Sequence, residues 1–232
     1  MMAIKALGFD ADDTLWHNES IFRVTQSRFT ALLGDHAGEE DVVARLVEAE
    51  RRNLAFYGYG VKGFTLSMIE TAHAVCGDDL PPAAVREILD YGREMLTHPV
   101  DCLPGAAEAL AALAPDHEMI LITKGDLFDQ ERKLAQSGLG DLFDAVEIVS
   151  EKTAATYLSA FARHGVGPES ALMTGNSLKS DVIPALEAGA WGVHIPYHVT
   201  WAHEMAPEPV GRPRYRALDR IDALPALIEG LA

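Results

Sequence analysis

Three carboxylates stand within four positions near the start of the chain: Asp10, Asp12 and Asp13, in IKALGFDADDTLW, residues 4 to 16. Along an extended backbone, alternation turns Asp10 and Asp12 to one side and Ala11 to the other. Neighbouring carboxylates repel, so a site built on them calls for a cation, and hard divalent ions take oxygen ligands. Three later stretches carry complementary groups. ILITKGD presents the Thr123 hydroxyl, Lys124 and the Gly125 N–H at the start of a helix, a set that suits a phosphate. VSEKT places Lys152 at a helix N-terminus, where the dipole disfavours a cation unless an anion is near. LMTGNSLKSDVIPALEAG offers the amide oxygen of Asn176 and the carboxylate of Asp181. Each stretch also has a plain structural reading: a solvated acidic loop, a threonine ending a strand, a solvated lysine, an Asx turn at Asn176. A calcium loop fits the first stretch poorly, because the turn glycine and the terminal bidentate glutamate are missing.

Such groups need a scaffold that brings distant segments to one edge. Ile4, Ala6, Leu7 and Phe9 read as a buried strand, and 119–123, 145–149, 171–174 and 191–195 read as four more. Helices are expected from Gly105 to Leu113, from Asp126 to about Ser137, and over 153–164, 179–188 and 221–231. Alternating strands and helices imply an α/β fold, a doubly wound, Rossmann-like parallel sheet, with ligands bound at the C-terminal ends of its strands. Between Trp16 and Leu103 the pattern is helical throughout, with four amphipathic stripes beginning near Ile21, Val42, Met68 and Val85. The expected organisation is a core of residues 1–16 and 103–232 and an inserted all-helical cap of residues 17–102. Beginning directly after the acidic stretch, the cap is placed to act as a lid.

Composition sets bounds. Thirty-five acidic against 19 basic residues give a net charge of −16, a surface that repels nucleic acid and anionic membranes. No apolar stretch approaches the length of a membrane span, and the first residues do not resemble a signal peptide. Cys76 and Cys102 sit in apolar settings and read as free thiols. A cytoplasmic protein with no nucleic-acid or membrane partner is expected; its oligomeric state is open.

The four stretches, in this order and each at a strand end, resemble the motifs of the haloacid dehalogenase (HAD) superfamily of hydrolases. The resemblance spans the core; in the insertion only placement and helical character match. It implies that Asp10 is a nucleophile and Asp12 a general acid and base. Thr123, Lys124, Gly125 and Lys152 bind the phosphoryl group, and Mg2+ is held by Asp10, Asp12 through its carbonyl, Asn176 and Asp181. Asn176 departs from the family's usual aspartate, removing one anionic ligand. Dehalogenases of the superfamily lack an acid where Asp12 stands, so its presence favours phosphoryl transfer over carbon–halogen cleavage. The implied activity is a magnesium-dependent phosphatase acting on a small phosphorylated metabolite. The alternatives are a phosphotransferase or mutase, and a non-catalytic binding protein.

Two other stretches stand out. FYGYGVKGF, residues 56 to 64, reads either as a specificity loop of the cap built on Tyr59, Lys62 and Phe64, or as an inter-helix turn with buried rings. HIPYHVTWAHE carries His194, His198, His203 and Glu204; its spacing fits no compact zinc site, and as a segment following a strand end it is expected to border the cleft.

Overall fold

Apolar runs build the sheet. Its strands are β1 (Ala6–Phe9), β2 (Glu118–Lys124), β3 (Ala145–Val149), β4 (Ala171–Gly175), β5 (Trp191–His194) and β6 (Tyr215–Ala217). The computed structural model describes residues 3–199 and 201–231. All strand pairs are parallel, in the order β3-β2-β1-β4-β5-β6. Central β1 is buried along its whole length, as expected for a strand without a polar face. Phe9 pairs with Leu121 on one side and Thr174 on the other, so the residues that follow β1, β2 and β4 emerge at one edge. The strand order reverses between β1 and β4, the kind of switch point at which open sheets bind ligands.

Helices cover both faces. On one, α5 (Ala106–Leu113) and α9 (Leu224–Glu229) pack Leu110, Leu113, Leu224 and Ile228 against Leu7, Phe9 and Leu121. On the other, α7 (Ala154–Arg163) and α8 (Ile183–Glu187) pack Tyr157, Phe161 and Ala185 against Ala6, Ile120 and Met173. Burying each large apolar side chain contributes roughly 1.5–3 kcal/mol. The remaining core helix, α6 (Leu127–Ser137), follows β2.

The chain divides into two units: Met1–Glu19, Val100–Lys124 and Gln130–Ala232, and Ser20–Pro99 with Gly125–Asp129. The second is helical: α1 (Glu19–Leu32), α2 (Glu39–Tyr57), α3 (Val61–Cys76) and α4 (Pro82–Thr97). Phe29, Leu46, Phe64, Met68, Ile88 and Met95 form its core, and buried Asn53 is satisfied by Ser67 (3.1 Å) and Glu70 (3.0 Å). Among the described residues no helix is long and apolar enough to cross a membrane. Cys76 and Cys102 are both free.

Three details differ from the sequence expectation. The irregular stretch shrinks to 58–60, because α2 runs to Tyr57 and α3 starts at Val61. The helix expected over 179–188 begins as one wide turn, Leu178–Val182, before α8. A short sixth strand, β6, adds to the sheet edge beyond β5.

Candidate active site

Asp10 leaves the end of β1 with its N–H bonded to the Thr174 carbonyl at 2.9 Å. Its carboxylate is buried and has two donors: the Lys152 ammonium at 2.5 Å on Oδ1 and the Thr14 hydroxyl at 3.0 Å on Oδ2. Lys152, also buried, bonds Asp181 Oδ1 at 2.7 Å. One cation thus serves two buried carboxylates. Burial, and next the charge of Asp181, push the Asp10 carboxyl up to about 7 against the pull of Lys152. Burial raises Asp181 as well, again opposed by Lys152. On Lys152 burial acts to lower the pKa, but the two carboxylates win and hold it well above the usual lysine value.

Asp181 is fixed at both ends: Oδ2 accepts the Ser177 N–H at 2.9 Å. Gly175 explains how it fits. A Cβ on that residue would lie 2.2 Å from Asp181 Oδ2, so a larger side chain displaces the carboxylate. The Asn176 N–H donates to Thr14 Oγ1 at 3.0 Å, and Asn176 Oδ1 lies 3.3 Å from the same hydroxyl, whose one proton has the shorter contact to Asp10. Thr14 therefore joins the loop after β1 to the loop after β4.

Asp12, two residues on, is met by donors from three residues. Lys133 Nζ bonds both its oxygens, at 2.6 and 2.8 Å; Trp16 Nε1 bonds Oδ1 at 2.7 Å; Gln130 Nε2 bonds Oδ2 at 2.9 Å. Gln130 and Lys133 lie one turn apart on α6 and are buried. Gln130 Nε2 also lies 3.1 Å from Thr123 Oγ1, so this one amide touches the residues ending two strands. Asp13 has a positive φ of 63° and accepts the N–H of Asn18 (2.8 Å) and Glu19 (3.0 Å). Burial pushes its carboxyl up to about 8 against those backbone bonds.

The structure thus brings Asp10, Asp12, Thr123, Lys152, Asn176 and Asp181 to one sheet edge. Other expected site residues are engaged elsewhere. The Lys124 ammonium pairs with Glu204 (2.6 Å), Ser180 Oγ (2.8 Å) and Glu151 (3.4 Å) rather than standing open to a phosphate. Gly125 follows with φ 135°, a conformation that favours glycine. In the helical unit Phe64 is a core residue with its ring 5.1 Å from that of Phe22, which removes it from a specificity loop. Lys62 pairs with Asp126 at 2.9 Å, and Tyr59 is half-buried. The three histidines are dispersed in their contacts: His194 Nε2 meets the Asn176 carbonyl (3.0 Å), His198 lies against Tyr197 (4.2 Å) and His203 against Trp201 (4.6 Å). Among the described residues no cluster of three or more His, Cys, Asp or Glu side chains could hold a metal. Sequence reasoning missed Gln130 and Lys133, because a Gln and a Lys on a helix read as solvated.

A magnesium ion suits the donor chemistry. Asp10, the Asp12 carbonyl and Asn176 offer oxygens only, and the buried Asp10–Asp181 pair has one anion more than Lys152 neutralises. Asp181 fits a direct ligand less well than Asp10: its side chain is 1% exposed against 10%, and its oxygens are held by Lys152 and the Ser177 N–H.

Comparison with known proteins agrees with this geometry. A family model described as haloacid dehalogenase-like hydrolase matches residues 4–189. A haloacid dehalogenase-like family hydrolase from Xanthomonas campestris is 42% identical, with 99% of this chain and 92% of that one covered and a TM-score of 0.89. Two more distant structures share the fold at 20% identity. One is a predicted phosphoglycolate phosphatase from Haemophilus somnus (98% and 99% covered, TM-score 0.66). The other is the L-2-haloacid dehalogenase of Xanthobacter autotrophicus (99% and 100% covered, TM-score 0.69). The comparison with curated proteins gave no match. With a family model over most of its length and a 42% identical relative along nearly all of it, the chain belongs to the haloacid dehalogenase-like hydrolases.

Proposed function

We propose that the protein is a magnesium-dependent phosphatase that hydrolyses small phosphate monoesters through an aspartyl-phosphate on Asp10. The observation that carries this reading is the second carboxylate, Asp12, held two residues after a buried Asp10 that already has Lys152 and Thr14 as donors. Carbon–halogen cleavage expels halide and needs no proton for its leaving group; ester cleavage does.

In the first half-reaction an Asp10 oxygen attacks phosphorus; the O–P bond forms as the bond to the leaving oxygen breaks, and Asp12 supplies the proton that leaving oxygen takes. For that step the Asp12 carboxyl must carry a proton and turn from Lys133 towards the ester. In the second half Asp12 takes a proton from water, which attacks phosphorus and frees Asp10. Lys152, the Thr123 hydroxyl and the Gly125 N–H are assigned to the phosphoryl oxygens, where fixed donors are worth most. Asp10, the Asp12 carbonyl and Asn176 would hold magnesium, which would supply positive charge against anion–anion repulsion. Lys124, paired with Glu204, is not assigned to the phosphate.

The test is an assay of the purified chain with magnesium on an aryl phosphate, a panel of alkyl phosphates and 2-chloropropionate. Phosphate release that disappears in Asp10→Asn, with no chloride release, is the expected result. Chloride release without phosphate release would overturn the reading in favour of a dehalogenase. No turnover of either substrate class, in a folded chain, would favour a binding protein.

A further inference from the structure

The long connection from β5 to β6 returns to the catalytic edge and is tied there repeatedly. Tyr197 OH lies 2.6 Å from His17 Nδ1, just after the acidic stretch, and Lys179 Nζ donates to the His203 carbonyl at 2.7 Å. The tightest attachment is Glu204, on the single turn Ala202–Glu204. Its side chain is 15% exposed and both oxygens are in use. Oε1 pairs with Lys124, which follows Thr123; Oε2 accepts from the hydroxyls of Ser177 (2.5 Å) and Ser180. Lys124 Nζ also donates to Ser180 Oγ at 2.8 Å, closing a ring of three residues from three segments.

This ring leads to the proposed nucleophile. Ser177 caps the wide turn Leu178–Val182 by accepting the Ser180 N–H at 3.0 Å, and its own N–H holds Asp181 Oδ2 at 2.9 Å. Asp181 holds Lys152, and Lys152 holds Asp10. Tyr157 OH supports the same turn from below through the Ser180 carbonyl at 2.9 Å. A turn of i→i+5 hydrogen bonds is rare, and this one is held from outside by Tyr157 and by Glu204.

We propose that Glu204 is a positioning residue: it fastens the β5–β6 connection to the loops after β2 and β4, and so fixes the Ser177–Asp181–Lys152 relay that orients Asp10. Its effect on turnover rests on the phosphatase reading; its effect on the loop does not.

Amide hydrogen exchange and steady-state kinetics on wild type, Glu204→Ala and Glu204→Gln test this. In Glu204→Ala, exchange over residues 177–182 should rise about tenfold or more, the effect of losing a charge-assisted hydrogen bond, while α5 and β3 keep their protection. Glu204→Gln should fall between, because an amide oxygen still accepts from the serines but does not pair with Lys124. With an aryl phosphate, kcat should drop about tenfold in Glu204→Ala at nearly unchanged KM, as expected for lost orientation. Unchanged exchange over 177–182 in both variants would overturn the proposal, and so would faster exchange spread evenly over the whole sheet. A wild-type chain without phosphatase activity would refute the functional reading alone; the exchange data would still decide the role of Glu204.

Discussion

At the scale of single residues, the site is a question of which oxygens have donors and which donors are charged. Asp10 and Lys152 were legible in the sequence, because a carboxylate ending an apolar strand and a lysine opening a helix both ask for a counter-charge. Gln130 and Lys133 were not: in LFDQERKLAQS they look like the wet side of a helix, yet both are buried against Asp12 while Leu127 and Phe128 are exposed. Asp12→Ala should lower kcat by about 100-fold or more on alkyl phosphates and much less on aryl phosphates, whose leaving groups need little protonation. Lys133→Met, which removes the ammonium paired with Asp12, should show the same ranking at about a tenth of the size. Equal losses on both substrate classes would remove Asp12 from the acid role. Asn176 invites a separate test. Asn176→Asp adds the charge that hard cations prefer, so the magnesium concentration for half-maximal activity should fall several-fold, by about threefold to tenfold. An unchanged magnesium titration would show that this position does not set metal affinity.

Elements follow the same logic one level up. The strands β1, β2 and β4 were readable as unbroken apolar runs, and their parallel order follows from the helices between them. β6 was missed because Tyr215–Ala217 is three residues long and only partly buried, leaving no apolar run to read. The wide turn after Gly175 was missed because side-chain periodicity does not record which carbonyl a backbone N–H chooses. Phe64 failed as a specificity residue for a simpler reason: α3 begins at Val61, so position 64 faces the helical core. Glu204 links elements, and its titration gives a test. Burial raises its pKa, but Lys124 and the two serine hydroxyls outweigh that and hold it below the ordinary 4.5. A carboxyl depressed by folding stabilises the native state above its unfolded pKa, and that stabilisation is lost as pH falls through the folded pKa. Between pH 7 and about 5 the Tm gap between wild type and Glu204→Gln should therefore be constant, and below about 4.5 it should narrow. A gap that held its full size down to the acid-unfolding limit would mean that Glu204 is not paired as the structure has it.

The whole molecule adds a field that no single residue shows. With a net charge of −16 the chain is strongly anionic, yet the proposed substrate is an anion too. Three lysines at this sheet edge are paired locally: Lys152 with Asp10 and Asp181, Lys133 with Asp12, Lys124 with Glu204. With these charges paired and a net charge of −16, a phosphate ester is expected to approach against repulsion until it reaches the donors of the site. Salt screens that repulsion over a Debye length of about 30 Å at 0.01 M and about 8 Å at 0.15 M, while the buried ion pairs feel it little. At saturating magnesium, kcat/KM for a dianionic ester should rise about twofold to threefold over that range, with kcat nearly constant, because approach and not chemistry is relieved. The opposite slope, a kcat/KM that falls as salt is added, would mean that a positive potential at the site reaches into solvent and outweighs the charge of the rest of the chain.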